Sequence, residues 1–257
     1  MNIIACARQV PTLESTIKPL PSPPFIDTSG LTYMTNPFDE YAVEEGVRIK
    51  ERLGSGELTV VTVGPEGADQ MLLNALAVGA DRAVHVHVKE GFLPRLDSFV
   101  VASLLKNAID GRKYDVILCG KEAVDDRQGA VGIELAEFLG LPHVAAVTKL
   151  DIDPGVKKAT ARRQIEGAWE IVECQLPAVF TCHKGLNEPR YPPLPGIMKA
   201  RKKPHEDITD VEIPAAKLSL ARLEHLPQRK AGKKLEGDIP QVTEELLRLL
   251  HEEARVI

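Results

Sequence analysis

Over the first 150 residues, short apolar runs alternate with longer stretches in which apolar positions recur every three or four residues. The runs fall at 3–10, 58–63, 83–88, 115–119 and 144–150. Between them, Ala42, Gly46, Ile49 and Leu53 share one helical face, as do Leu72, Ala75 and Leu76. Val100, Val101, Leu104, Leu105 and Ala108 form a third stripe, and Val131, Leu135, Phe138 and Leu139 a fourth. A glycine follows each stripe (Gly54, Gly79, Gly111, Gly140), and glycine accepts the left-handed cap at a helix end without a Cβ clash. This alternation predicts βαβ units around a mostly parallel sheet. The strands read as continuous apolar runs, which places helices on both faces of that sheet.

The pattern changes near residue 156. Segments 156–164 and 168–175 flank Ile165-Glu166-Gly167, a hairpin turn, and a last buried run covers 178–182. The stretch 187–196 holds four prolines, which exclude helix and interior strand, and a short basic helix is expected at 197–203. Residues 204–237 are polar and weakly periodic. The chain then ends in an amphipathic helix at 242–254, with Leu246, Leu249 and Leu250 on one face. The expected organisation is a core over 1–185 and an extended arm over 186–257, with a partner subunit for the arm to lie on.

Composition narrows the possibilities. The longest uninterrupted apolar run is residues 3–7, too short to span a membrane, and no charged start leads into a long apolar stretch, so neither membrane insertion nor a secretory signal is expected. A cytoplasmic location is expected. Cys6, Cys119, Cys174 and Cys182 lack paired spacing, against an iron–sulfur cluster, a structural zinc site or a disulfide scaffold. A net charge of −5 argues against broad nucleic-acid binding. Aromatics make up only 4% of the 257 residues, with one tryptophan, Trp169, so the chain has few stacking platforms for a flavin.

The strongest local signal follows the strand Val116-Ile117-Leu118-Cys119. A polar loop, 121–132, leads into a helix, and such a loop at the carboxyl end of a parallel strand offers backbone N–H groups and a helix dipole to a phosphate. Arg127 can add charge-assisted hydrogen bonds. An ordinary connection with solvated charges is the alternative, because the loop is neither a Walker A loop nor a GxGxxG. A second signal is Asn36-Pro37-Phe38-Asp39-Glu40, where Pro37 forces Asn36 out of the helical region and Asp39 and Glu40 enter the first helical turn. Taken alone, it reads first as a plain helix start. His85 and His87 face one side of a strand, but no third metal ligand is identifiable. Asp125 and Asp126 have no nucleophile beside them, and no catalytic set is evident.

These residues resemble the beta subunit of the electron-transfer flavoprotein family over nearly the whole chain. The resemblance is carried by Asn36-Pro37-Phe38 with Ala42-Val43-Glu44-Glu45, by Ala75-Leu76-Ala77-Val78-Gly79-Ala80-Asp81-Arg82, and by Gly120-Lys121-Glu122-Ala123-Val124-Asp125-Asp126. Most specific is Leu186-Asn187-Glu188-Pro189-Arg190-Tyr191, continuing through Leu194-Pro195 and Ile197-Met198-Lys199-Ala200. It implies an α/β core like that of adenine-nucleotide alpha-hydrolases and universal stress proteins. It also implies an alpha–beta heterodimer whose FAD sits mainly in the alpha subunit, and a structural AMP in this chain. The nucleotide pocket carried over by resemblance comprises Cys6, Ala7, Asn36, Pro37, Phe38, Asp39 and Val63. It continues through Gly120, Lys121, Glu122, Ala123, Val124, Asp125, Asp126, Arg127, Gln128, Gly129, Ala130 and Val131. The partner-recognition residues would be Asn187, Glu188, Pro189, Arg190, Tyr191, Leu194, Ile197 and Met198, with Leu194 plugging a pocket on an acyl-CoA dehydrogenase. Electrons would pass on to a quinone oxidoreductase or another acceptor, without independent catalysis.

Two departures stand out. Arg127 and Gln128 replace an acid and a hydroxyl found in many relatives, which leaves open the electron-bifurcating variant with a second FAD at the AMP site. Gln164 stands where many relatives have a glutamate that pairs with the alpha subunit. A stand-alone hydrolase of the same fold is disfavoured, because Arg8-Gln9-Val10-Pro11 occupies the position of its Ser-Gly-Gly loop.

Overall fold

The computed structural model describes residues 1–22, 25–89, 96–225 and 232–257. Met1–Leu223 form one compact unit and Glu224–Ile257 a second. The strands of the first unit are β1 (Asn2–Cys6), β2 (Gln9–Pro11), β3 (Lys18–Pro19), β4 (Ile26–Asp27), β5 (Tyr33–Thr35), β6 (Glu57–Gly64), β7 (Arg82–His87), β8 (Val116–Gly120), β9 (His143–Asp153), β10 (Lys158–Ile165), β11 (Ala168–Gln175), β12 (Ala178–Cys182) and β13 (His205–Ile208). Its helices are α1 (Pro37–Leu53), α2 (Asp69–Val78), α3 (Ser98–Ile109), α4 (Val131–Leu139) and α5 (Leu194–Ala200).

Nine strands make the central sheet, in the order β11-β10-β9-β12-β8-β1-β6-β7-β13. Seven of them, β9 to β13 across the middle of that order, run parallel, and the β10–β11 hairpin adds the antiparallel end. The fold is therefore the expected α/β architecture. Alternate strand residues enter different cores. Ile3, Ala5, Leu58, Val60, Val116 and Leu118 pack with residues of α1 and α2. Ile4, Cys6, Val61, Ile117 and Cys119 pack with residues of α3 and α4 on the other face. Both faces are covered, which is why the strands carry no polar alternation.

Three local expectations change. The run 3–10 is not one strand: β1 stops at Cys6, and Gln9–Pro11 pair with β5 in a separate two-stranded sheet. α5 starts at Leu194, earlier than expected, because Pro195 lies in the first turn, where a missing N–H and a fixed φ are tolerated. Part of the stretch expected as an arm lies on the first unit. α5 packs with α2, and β13 pairs with β7, His205 beside Ala83. The hairpin turn is as expected, with Gly167 at φ 70°.

The second unit holds α6 (Ile239–Arg248), capped by Asp238, whose carboxylate accepts the Gln241 N–H at 3.1 Å. A wider helical turn, Leu249–Ala254, extends it, and Lys233 pairs with Glu253 at 2.6 Å. No residue of α6 is buried. Among the described residues, no helix is long and apolar enough to cross a membrane.

Candidate functional site

In the sheet order, β1 lies between β8, which follows it late in the chain, and β6, which follows it early. The chain thus leaves β1 towards one side first and the other side later, and the crevice beyond the carboxyl ends of β1 and β8 is the topological switch point where open parallel sheets bind ligands. Cys6 ends β1 and Ala7 follows it, both buried, and Gly120 ends β8. Val63 lies on β6, two residues beyond Val61, the partner of Cys6.

Two side chains at the start of α1 tie this crevice together. Asn36 precedes Pro37 and is almost wholly buried, yet its amide does not cap α1. Instead its Nδ2 donates to the Glu122 carbonyl at 2.9 Å, and its Oδ1 accepts the Val124 N–H at 3.1 Å. Asp39 bridges both strand ends: Oδ2 accepts the Arg8 N–H at 2.8 Å and Oδ1 the Gly120 N–H at 3.0 Å. The Asp39 carboxyl is thus a buried brace, rather than a dipole-facing charge on an exposed helix start. Burial pushes it up to about 7, against the downward pull of hydrogen bonds from Asn36, Arg8 and Gly120.

The loop itself is ordered around Arg8. Its guanidinium reaches Asp125 at 2.7 Å and Asp126 at 2.6 Å. Burial opposes the Arg8 charge, but the two carboxylates more than offset it and raise the group above its ordinary value. Arg8 was not among the expected binding residues, because the apolar run placed it inside a strand. With β1 ending at Cys6, it enters the switch-point loop. Arg127, the expected phosphate partner, is exposed, adopts a left-handed φ of 53°, and donates its N–H to the Ala123 carbonyl at 2.9 Å. Gln128 is also exposed, and its N–H is bound by Asp126 at 3.1 Å. Lys121 donates its N–H to the Cys182 carbonyl at 2.9 Å. Ala130 precedes α4, and no side chain caps that helix start. Val131 begins it, and Phe38 packs edge-on against His183, 5.6 Å between ring centres.

The chemistry on offer is binding rather than bond making. The Cys119 thiol is pushed up by a hydrogen bond with Cys6 and by burial, and the Cys182 thiol is pushed up by burial, so neither supplies a thiolate. Asp39 is occupied by two amides.

The expected partner residues divide by direction. Asn187 points inward and donates to the Tyr41 carbonyl and to Glu45 Oε2, each at 3.0 Å. The Glu188 carbonyl accepts from Arg48 at 3.3 Å. Arg190 grips Glu44 at 2.9 Å and Glu51 at 2.7 Å. Just beyond, Tyr191, Leu194, Ile197 and Met198 are exposed, Tyr191 at 94% and Leu194 at 71%. At the far end of the sheet, Gln164 pairs with Trp169 across the hairpin, and Arg162 lies 4.5 Å above the tryptophan ring.

Fold and site together define an α/β protein with a braced loop at the switch point of a parallel sheet. Residues 25–213 match the electron transfer flavoprotein domain. The electron transfer flavoprotein subunit beta of Bacillus subtilis (strain 168) is 40% identical over 238 residues, 90% of this chain and 91% of its own length. The human subunit beta is 36% identical over 100% of this chain and 99% of its own length, and the mitochondrial subunit beta of Arabidopsis thaliana is 33% identical over 100% of both. The chain belongs to the electron transfer flavoprotein family, among its beta subunits.

Proposed function

We propose that this chain is the beta half of a heterodimeric electron carrier. An alpha subunit would hold FAD, and this chain would hold AMP at the switch point. FAD supplies the redox chemistry when bound; this chain would position and cover it without a catalytic residue of its own. Electrons would come from an acyl-CoA dehydrogenase and go to a quinone oxidoreductase or a similar acceptor, in the cytoplasm. The names of the relatives support pairing with an alpha subunit.

The observation that carries the nucleotide part is the brace of Asn36 and Asp39 on the loop after β8. The residues fit an adenine nucleotide. The start of α4 has no side-chain cap, and Arg8 draws the carboxylates of Asp125 and Asp126 to itself and offsets one of their two charges. Gly120, Ala130 and Val131 would hold the nucleotide through backbone groups. Asn36 and Asp39 would keep the loop in place.

Arg190 and Asn187 anchor the recognition segment to α1, and Leu194 then presents an apolar side chain at little entropic cost. The test is coexpression with an alpha subunit of the same family. A flavin-containing complex whose flavin is reduced by acyl-CoA and its dehydrogenase is expected; an absent complex, or a flavin that stays oxidised, contradicts the reading. Burying one leucine is worth about 1.5–3 kcal/mol, so Leu194→Ala should lower the reduction rate tenfold or more at subsaturating dehydrogenase, with flavin content unchanged.

A further inference from the structure

A second cluster lies away from the switch point, where α2, β7 and β13 meet. Asp69 is the first residue of α2, His85 lies on β7, and His205 and Asp207 lie on β13. Asp207 pairs in register with His85. One ligand-type atom from each of the four side chains lies within 4.8 Å of the other three. His205 Nε2 is 3.4 Å from Asp207 Oδ1 and 3.8 Å from Asp69 Oδ1. These separations are close to the edge of a tetrahedron with metal–ligand bonds of about 2.0–2.1 Å, about 3.3 Å.

We propose that Asp69, His85, His205 and Asp207 bind a divalent transition-metal ion of the zinc type, which fastens β13 to β7 and to the start of α2. The hydrogen bonds of His85 carry the argument. His85 is fully buried, and its Nε2 lies 3.1 Å from the Gly64 carbonyl. A carbonyl only accepts, so the network assigns the hydrogen to Nε2. With the hydrogen on Nε2, Nδ1 is the ring atom that faces Asp69 Oδ1, 2.6 Å away, itself a lone-pair donor. Two such donors converge only with a positive charge between them, a proton in a plain hydrogen bond or a metal ion in a coordinated pair, and the convergence of His205 and Asp207 on the same point favours the metal. A backbone carbonyl on the far nitrogen is also the arrangement that fixes the tautomer of a metal-ligating histidine.

The rest of the cluster fits the same reading. Two carboxylates offset the charge of a divalent ion, and the two imidazoles favour zinc over magnesium or calcium. His87, stacked 3.8 Å from His85, holds Asp207 from outside, Nε2 to Oδ1 at 2.7 Å. His205 and Asp207 are exposed, which leaves an entry path, and Asp69 is 44% exposed and free to open its spacing to His85. β13 has only four residues and lies at the sheet edge, where such a fastening has most to add.

The test uses the full chain, stripped with a chelator and titrated with Zn2+ alone. The expected result is one Zn2+ per chain in competition with a chromogenic chelator, a raised melting temperature, and visible absorption bands of a nitrogen- and oxygen-ligated ion with Co2+ as probe. His205→Gln and Asp207→Asn change exposed positions; each should weaken Zn2+ at least tenfold and abolish the melting shift, with an unchanged circular dichroism spectrum. His251→Gln, outside the cluster, should leave the affinity as it is. Absence of stoichiometric Zn2+ binding, or equal affinity in both cluster variants, would overturn the proposal in favour of a plain hydrogen-bonded network.

Discussion

Asp39 is the residue on which the strand ends of the switch point turn, and it is charged against its surroundings. Its carboxyl sits at about 7 in the folded chain against an ordinary 3.8, with burial as the main cause. Between these values the folded state binds a proton that the unfolded state has lost, so stability falls as pH rises from about 4 to about 7 and the penalty is complete above that. Asp39→Asn removes the titration. Denaturant unfolding of both proteins should show the wild type losing on the order of 2–4 kcal/mol relative to the variant across that window; parallel pH profiles would contradict it. Gly120 is the second pivotal residue. A Cβ there would overlap Asp39 Oδ1 and stand 2.9 Å from the Asp39 backbone nitrogen. Gly120→Ala should therefore cost about 1–3 kcal/mol in denaturant unfolding, and a variant as stable as wild type would show that the brace is slack. Asn36 and the glycine-ended strand were legible in the sequence, because proline and glycine constrain the backbone locally. Arg8 was not, because nothing local marks the end of β1 after Cys6. That end is set by Gln9–Pro11 leaving to pair with β5.

At the scale of elements, α1 works on both of its sides. Its first turn braces the loop, and further along Glu44 and Glu51 hold Arg190, whose guanidinium they raise above its ordinary value. Glu44 is buried and keeps Arg48 at 2.7 Å when Arg190 is removed, so Arg190→Ala should cost only about 1–2 kcal/mol. Its larger effect should be local. Limited proteolysis should cut within 187–195 faster than in the wild type, and an unchanged cleavage pattern would show that Asn187 suffices as anchor. The helices and long strands were readable from periodicity, since each buries a stripe or a run of its own. β13 was not: its four residues, His205 and Asp207 among them, have no apolar pattern and form a strand only because β7 offers an edge 122 residues earlier in sequence. The earlier start of α5 at Leu194 was hidden for a different reason, since a proline that ends most helices is welcome in a first turn.

At the scale of the whole molecule, the shortage of aromatics takes on a definite meaning. Trp169 lies on the β10–β11 hairpin, 55% exposed and covered by Arg162, away from the switch point. The crevice itself is formed by backbone amides, Arg8 and the carboxylates of Asp39, Asp125 and Asp126. The parallel sheet and its helices were legible because both faces are buried. The strand order, which creates the crevice, arises from long-range pairing that no local pattern records. The central claim is that this crevice holds AMP while FAD belongs mainly to the partner subunit. Denaturing the purified heterodimer and counting the released nucleotides tests it directly. One FAD and one AMP per heterodimer is the predicted result; a second FAD in place of AMP, or no nucleotide beyond a single FAD, would contradict it.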